Sequence, residues 1–138
     1  MRLSLMLLLL LLASRAFAQA ALTVDVVLSD PKAGGSVMLA VCPDAGPFGT
    51  DKGCLVRRAA AASATVRVPV GELPPGPHAI KVFHDVNGNG KLDTNWMGIP
   101  NEPYGFGNDA RGSFGPPSFE QSAVTLGQAP KVAVVLLK

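Results

Sequence analysis

Asp85, Asn87, Asn89 and Asp93 fall at positions 1, 3, 5 and 9 of one short run, Asp-Val-Asn-Gly-Asn-Gly-Lys-Leu-Asp, with Gly90 at position 6. Oxygen-bearing side chains at alternate positions, closed by a glycine where the chain must turn sharply, are how a short loop wraps a hard cation. Calcium takes about six to eight oxygens at relaxed geometry, so these side chains and the Lys91 carbonyl at position 7 suit it. Position 12, where a helical calcium loop has a bidentate glutamate, is Trp96, and no helical pattern flanks the run. A helical calcium-binding hand is therefore excluded. Glu102 is the best candidate to complete the shell, with Asn95 or Asp109 behind it. The competing reading is a metal-free turn whose Asp and Asn side chains bond local amides. Both readings stand on the sequence.

The run opens a stretch of 37 residues, 85–121, with no clear periodicity. Loops longer than about 15 residues in a compact domain are usually functional or disordered. Disordered segments are poor in aromatics, yet this one holds Trp96, Tyr104, Phe106, Phe114 and Phe119. It is expected to be an ordered excursion. Trp96, Tyr104 and Phe106, with Asn108 beside them, suit a stacking face for a glycan or a peptide, apolar rings with a polar rim. The alternative use of the same rings is a small core belonging to the loop itself.

Catalysis finds less support. The histidines are His78, beside a turn, and His84, just before Asp85. A nucleophile on a sharp turn next to an oriented histidine is absent, since Ser113 and Ser118 lie in no such motif. No His-x-His or His-x-x-x-His spacing backs a zinc site at His84. Asp93 and Glu102 form a carboxylate pair of the kind that hydrolyses sugars, and the same two residues serve equally as metal ligands or loop fasteners.

The elements that must position these residues read as strands. Leu22, Val24, Val26 and Leu28 alternate with Thr23, Asp25 and Val27, and Asp30-Pro31 ends the run. Further strands are expected at 36–41, 66–70, 79–84, 123–126 and 132–137, with a short one at 55–58, all bounded by Gly, Pro or Asp. Only Ala59 to Ala64 has a helix-like composition, and it is too short to stand alone. About seven short strands with Gly/Pro turns predict an all-β, single-domain antiparallel β-sandwich, immunoglobulin-like or transthyretin-like, with one long ordered loop. A partly open barrel is the alternative.

Residues 1–18 read as a cleaved export signal: Arg2, the apolar run Leu3 to Leu12, then Ala16-Phe17-Ala18 as a small-x-small site. The run is shorter than the roughly 20 residues a membrane span needs, and no cysteine near the boundary suggests a lipid anchor. Of 12 Lys and Arg residues the signal holds Arg2 and Arg15, so the remaining chain, 19–138, balances its 10 Asp and Glu residues. A neutral chain lacks the basic stripe that nucleic acid requires. Export places Cys42 and Cys54 in an oxidising compartment, where a structural disulfide is expected.

The strand Leu73 to Asp85, the run Asn87 to Asp93, the stretch Gly98 to Asn108 and the later Gly115-Pro-Pro-Ser-Phe119 together resemble the bacterial family known as domain of unknown function 2141. The likeness spans roughly residues 22–137. The family pattern would put serine at Gly107, and the Cys42/Cys54 pair looks like a subgroup feature. The resemblance implies an exported bacterial β-sandwich, periplasmic or secreted. Its Asp-x-Asn-x-Asn-Gly element is also similar to calcium loops in sandwich repeats of bacterial surface adhesins. The expected function is a non-catalytic binding or envelope-accessory module for a protein or glycan partner. A hydrolase working through the 85–121 loop and a purely structural assembly domain are the alternatives.

Overall fold

Apolar residues at every second position force the chain into strands with one wet face and one dry face. The computed structural model describes residues 19–138, so the export signal expected at 1–18 lies outside the described residues. Eight strands are formed: β1 (Ala20–Val27), β2 (Ser36–Cys42), β3 (Leu55–Ala60), β4 (Thr65–Leu73), β5 (Gly76–Asp85), β6 (Tyr104–Phe106), β7 (Ala123–Leu126) and β8 (Lys131–Leu136). They make two sheets, β4-β1-β8 and β3-β2-β5-β6, with β7 also paired to β5. The protein is an all-β sandwich, as its alternation predicts.

Between the sheets lies one core. Leu22, Val24 and Val26 of β1, Val66, Val68 and Val70 of β4, and Ala133 and Val135 of β8 meet Val37, Leu39, Val41, Ile80 and Val82 from the other sheet. Each such side chain contributes on the order of 1.5–3 kcal/mol by leaving water. Every strand pairing is antiparallel except β1 with β8, which run parallel. β4 carries a bulge opposite Leu22/Thr23, beside Pro69 and the positive-φ Gly71. Pro69 is tolerated there because β4 is an edge strand.

One seam between the sheets is stitched by backbone. Tyr104 and Lys138 exchange N–H···O bonds of 3.2 and 3.1 Å. The strand between them must come close: a Cβ on Gly105 would sit 2.6 Å from the Leu136 carbonyl oxygen. Gly105 therefore lets β6 lie against the end of β8.

Helix is scarce and sits where composition gave no sign of it. The segment Ala59 to Ala64 ends β3 and turns into β4. Instead α1 (Ala45–Thr50) forms inside the loop closed by the Cys42–Cys54 disulfide, capped by the Asp44 side chain on the Gly46 N–H. A second helix, α2 (Phe119–Ser122), starts with a capping box between Ser118 and Gln121. Both short helices cover the outer face of the larger sheet. There Phe48 of α1 and Phe119 of α2 join Cys42, Ala79 and Phe106 in a second small apolar cluster. Half of that outer face is thus roofed and the other half is open.

Candidate binding site

Asp85 ends β5 fully buried, and its carboxylate organises the loop that follows. One oxygen accepts the N–H groups of Gly88 (2.8 Å) and Asn89 (3.1 Å), and the other accepts that of Gly90 (2.8 Å). Such wrapping requires left-handed backbone at Gly88 and Gly90, both with φ of 77°. Asn87 Oδ1 accepts the Asn89 N–H, and Asn89 Oδ1 accepts the Lys91 N–H. The side-chain NH₂ groups of Asn87 and Asn89 both donate to the Asp93 carboxylate. Glu102, also buried, reaches across: one oxygen takes the Val86 N–H (2.9 Å) and the other the Asp93 N–H (3.1 Å).

The structure thus gathers Asp85, Asn87, Asn89, Asp93 and Glu102 around one turn, and N–H donors face each of their carboxylate oxygens. A cation in this turn would need the Asn87 and Asn89 oxygens, which here cap backbone amides. Among the described residues no three His, Cys, Asp or Glu side chains come together as metal ligands would. Asn101 N–H to Asp93 carbonyl (2.8 Å) and His84 N–H to Pro103 carbonyl (2.8 Å) complete the seam between the two limbs of the loop.

The aromatic residues do not form a core of their own. Phe106 and Phe119 join the cluster under α1, whereas Trp96 and Phe114 stand in solvent. Tyr104 and Phe106 share the outer face of β6 with ring centroids 6.0 Å apart, edge to face, and Phe106 lies 6.3 Å from Phe48. Trp96 neither stacks on these rings nor lines the cleft beside them. A three-ring face of Trp96, Tyr104 and Phe106 is therefore not assembled. Asn108 adopts φ 59° and donates to the carbonyls of Gln121 (3.2 Å) and Ala123 (2.7 Å), so its amide fastens α2 and β7. Next to it, a Cβ on Gly107 would collide with the Ser122 carbonyl. Glycine at position 107 is required by this packing.

What Tyr104 and Phe106 do form is one side of a cleft of about 720 Å³ on the open half of the larger sheet. Met38 and Ala40 of β2, Val56 of β3, and Lys81 and Phe83 of β5 floor it. Phe48, Gly49 and Asp51, Gly90 to Leu92, and Pro116-Pro117 wall it. Its charged lining residues are Asp51, Lys81 and Lys91. The Lys81 ammonium pairs with Asp51, donates to the Phe48 carbonyl and sits 4.9 Å from the Phe48 ring centroid. Sequence reasoning passed over Met38, Val56, Lys81 and Phe83. The available signal was the outward register of β2, β3 and β5, which carries apolar residues where a solvated face is ordinarily polar.

Both histidines lie on the opposite side. His78, Ile80, Val82 and His84 occupy alternate positions of β5, away from Lys81 and Phe83. His84 is fully buried; its Nε2 donates to the Gly34 carbonyl and its Nδ1 has no partner. Ser118 is consumed as the cap of α2.

A two-layer all-β domain, with a carboxylate-fastened loop beside a cleft on one outer face, is the class this architecture defines. Residues 26–133 match the bacterial family described as "Uncharacterized protein conserved in bacteria (DUF2141)", and the chain belongs to that family. No curated protein and no solved structure matches it. No helix among the described residues is long and apolar enough to cross a membrane.

Proposed function

We propose that this protein is an exported, non-catalytic binding module whose ligand site is the outer-face cleft, with residues 85–93 acting as a metal-free structural fastener. The observation that carries the reading is an apolar sheet face left open beside a roofed half. Its volume of about 720 Å³ suits a small ligand or a few side chains of a peptide. Met38, Val56, Phe83 and Tyr104 offer apolar area, while Lys81 and Asp51 already satisfy each other. That chemistry favours apolar peptide side chains over a glycan, which needs many hydrogen-bonding partners. The position of both imidazoles on the inner face of β5 supports a non-catalytic role, since neither reaches the cleft.

The dye 1-anilinonaphthalene-8-sulfonate tests the cleft. The folded wild type should enhance its emission, and Met38→Glu should abolish the enhancement while leaving circular dichroism unchanged. A wild type that leaves the dye dark, or a Met38→Glu protein equal to wild type, contradicts the reading. Calcium tests the fastener: melting temperature should be the same with added calcium and with EDTA, and a rise with calcium would assign the metal to Asp85, Asn87, Asn89, Lys91, Asp93 and Glu102 instead. Export is checked by N-terminal sequencing of the protein made in a bacterial host, where Gln19 should come first.

A further inference from the structure

β3 ends the larger sheet, and among the described residues no strand lies along its outer edge. We propose that this edge takes an extended segment of a partner protein as an added antiparallel strand, with an acidic residue opposite Arg58 and an apolar one opposite Val56. Val56 lines the outer-face cleft, so this strand site rests on the reading of that cleft as the ligand site.

The phase of the ladder decides which backbone groups are open. The Ala61 N–H donates to the Gly35 carbonyl (3.1 Å), and the register carries that pairing with β2 on through Ala59, Arg57 and Leu55. In an antiparallel ladder alternate residues turn their N–H and C=O groups to opposite edges. Val56, Arg58 and Ala60 therefore point theirs away from β2, and among the described residues no backbone group meets them. The Val56 carbonyl accepts from Arg57 Nη1 (3.0 Å) and keeps a second lone pair. The same three residues carry their side chains on the exposed outer face. There the register sets Val56 in a row with Ala40 and Lys81, and Arg58 in a row with Met38 and Phe83. Residues directly opposite each other in a ladder share a face. A strand added to β3 extends both rows, and its side chain opposite Val56 lies at the rim of the cleft.

Arg58 selects the occupant. Its Nε donates to Ser36 Oγ (3.0 Å), and its two terminal nitrogens have no partner among the described residues. The carboxylates on neighbouring elements are engaged elsewhere: Asp51 by Lys81, Asp25 by Arg67, and Asp85 by the Gly88, Asn89 and Gly90 N–H groups. Glu72, near the end of β4, pairs with neither arginine of β3, and the Arg57 guanidinium spans the Val56 and Val70 carbonyls. Opposite charges directly across a ladder stabilise it, and like charges weaken it. A second copy of this chain is thereby disfavoured, because the register that uses all three open residues sets Arg58 against Arg58. A strand with Glu or Asp at that position gains the ladder bonds and the ion pair together.

The probe is acetyl-Thr-Thr-Thr-Glu-Thr-Phe-Thr-amide, which places Glu opposite Arg58 and Phe opposite Val56 when it runs antiparallel to β3. Added in excess to residues 19–138, it should slow hydrogen exchange of the Val56 and Arg58 amides by about tenfold or more. The same peptide methylated on the backbone nitrogens of Glu and Phe keeps every side chain but loses both donors to β3. It should bind at least about tenfold more weakly. Arg58→Glu, with circular dichroism unaltered, should weaken the Glu peptide and strengthen its Lys counterpart. Unchanged Val56 and Arg58 exchange at millimolar peptide overturns the proposal, and so does equal binding of the methylated peptide, since side chains alone then hold it. Protection of these amides that grows with protein concentration alone also overturns it, by making a second copy the occupant. Dye emission that rises with wild type and is lost with Met38→Glu, alongside unchanged exchange at Val56 and Arg58, removes the strand site and leaves the cleft reading standing.

Discussion

Between Asp85 and Asp93 the polar side chains turn inward onto backbone N–H groups, whereas between Thr94 and Pro100 the apolar side chains turn outward into water. The two segments are consecutive and are joined at one seam by the Asp93–Asn101 bond. Both hold their backbone fixed, one through buried carboxylates and the other through the Asn95 amide. The difference lies in what the fixed backbone presents. The first half uses its side chains up in holding its shape, and the second leaves its apolar side chains in solvent. Rigidity in this loop comes from Asp85, Glu102 and Asn95, and Trp96, Met97 and Ile99 contribute nothing to it.

The strongest way to break that contrast is Asp85→Ala. Three N–H groups would lose a charged, buried acceptor, so unfolding free energy in urea should fall by on the order of 4 kcal/mol. A loss no larger than that of a surface substitution would mean the carboxylate does not organise the loop. Next in size is the Cys42→Ser, Cys54→Ser pair, which touches neither half. Opening a bridge across a sequence separation of 12 should cost roughly 3 kcal/mol, and it should loosen α1 and dim the dye signal of the cleft while Trp96 emission stays put. Trp96→Ala sits at the other extreme. Its ring is almost wholly exposed, so stability should change by less than about 0.5 kcal/mol, and urea unfolding followed by circular dichroism checks it. The smallest effect concerns Asp25 and Arg67, an exposed pair on the outer face of the smaller sheet with two contacts of 2.8 Å. The hydrogen bond from Arg67 holds the Asp25 carboxyl below its ordinary value of 3.8. A depressed folded-state value means the pair's contribution is present above 3.8 and fades as the pH falls through the folded value. Asp25→Asn should accordingly lower the melting temperature slightly near neutrality and converge on wild type at low pH, as a melting-temperature series across pH would show.

Sequence legibility followed the same division. The inner-facing alternation of β1, β4 and β5, the Cys42–Cys54 bridge and the gathering of Asp85 with Asn87, Asn89 and Asp93 could all be read, because local spacing dictates them. The fate of the rings could not. Phe106 and Phe119 are covered and Trp96 and Phe114 are not, although all four lie in the same kind of Gly- and Pro-rich sequence. What decides is α1, a helix of Ala-Gly-Pro-Phe-Gly-Thr that shows no apolar periodicity and forms where the disulfide closes its loop. It roofs one half of the outer face and leaves the other as a cleft, so burial there was a tertiary event with no local signature. The capping box Ser118 to Gln121 was a local signature of α2, present in the sequence and overlooked.

Native-state hydrogen exchange, residue by residue and without added metal, tests the central claim most directly. The account predicts that the Gly88, Asn89 and Gly90 amides held by Asp85, and the Val86 and Asp93 amides held by Glu102, exchange slowly, on the scale of the neighbouring β5 amides. Exchange of these five amides within seconds, or protection that arises only after calcium is supplied, would contradict it.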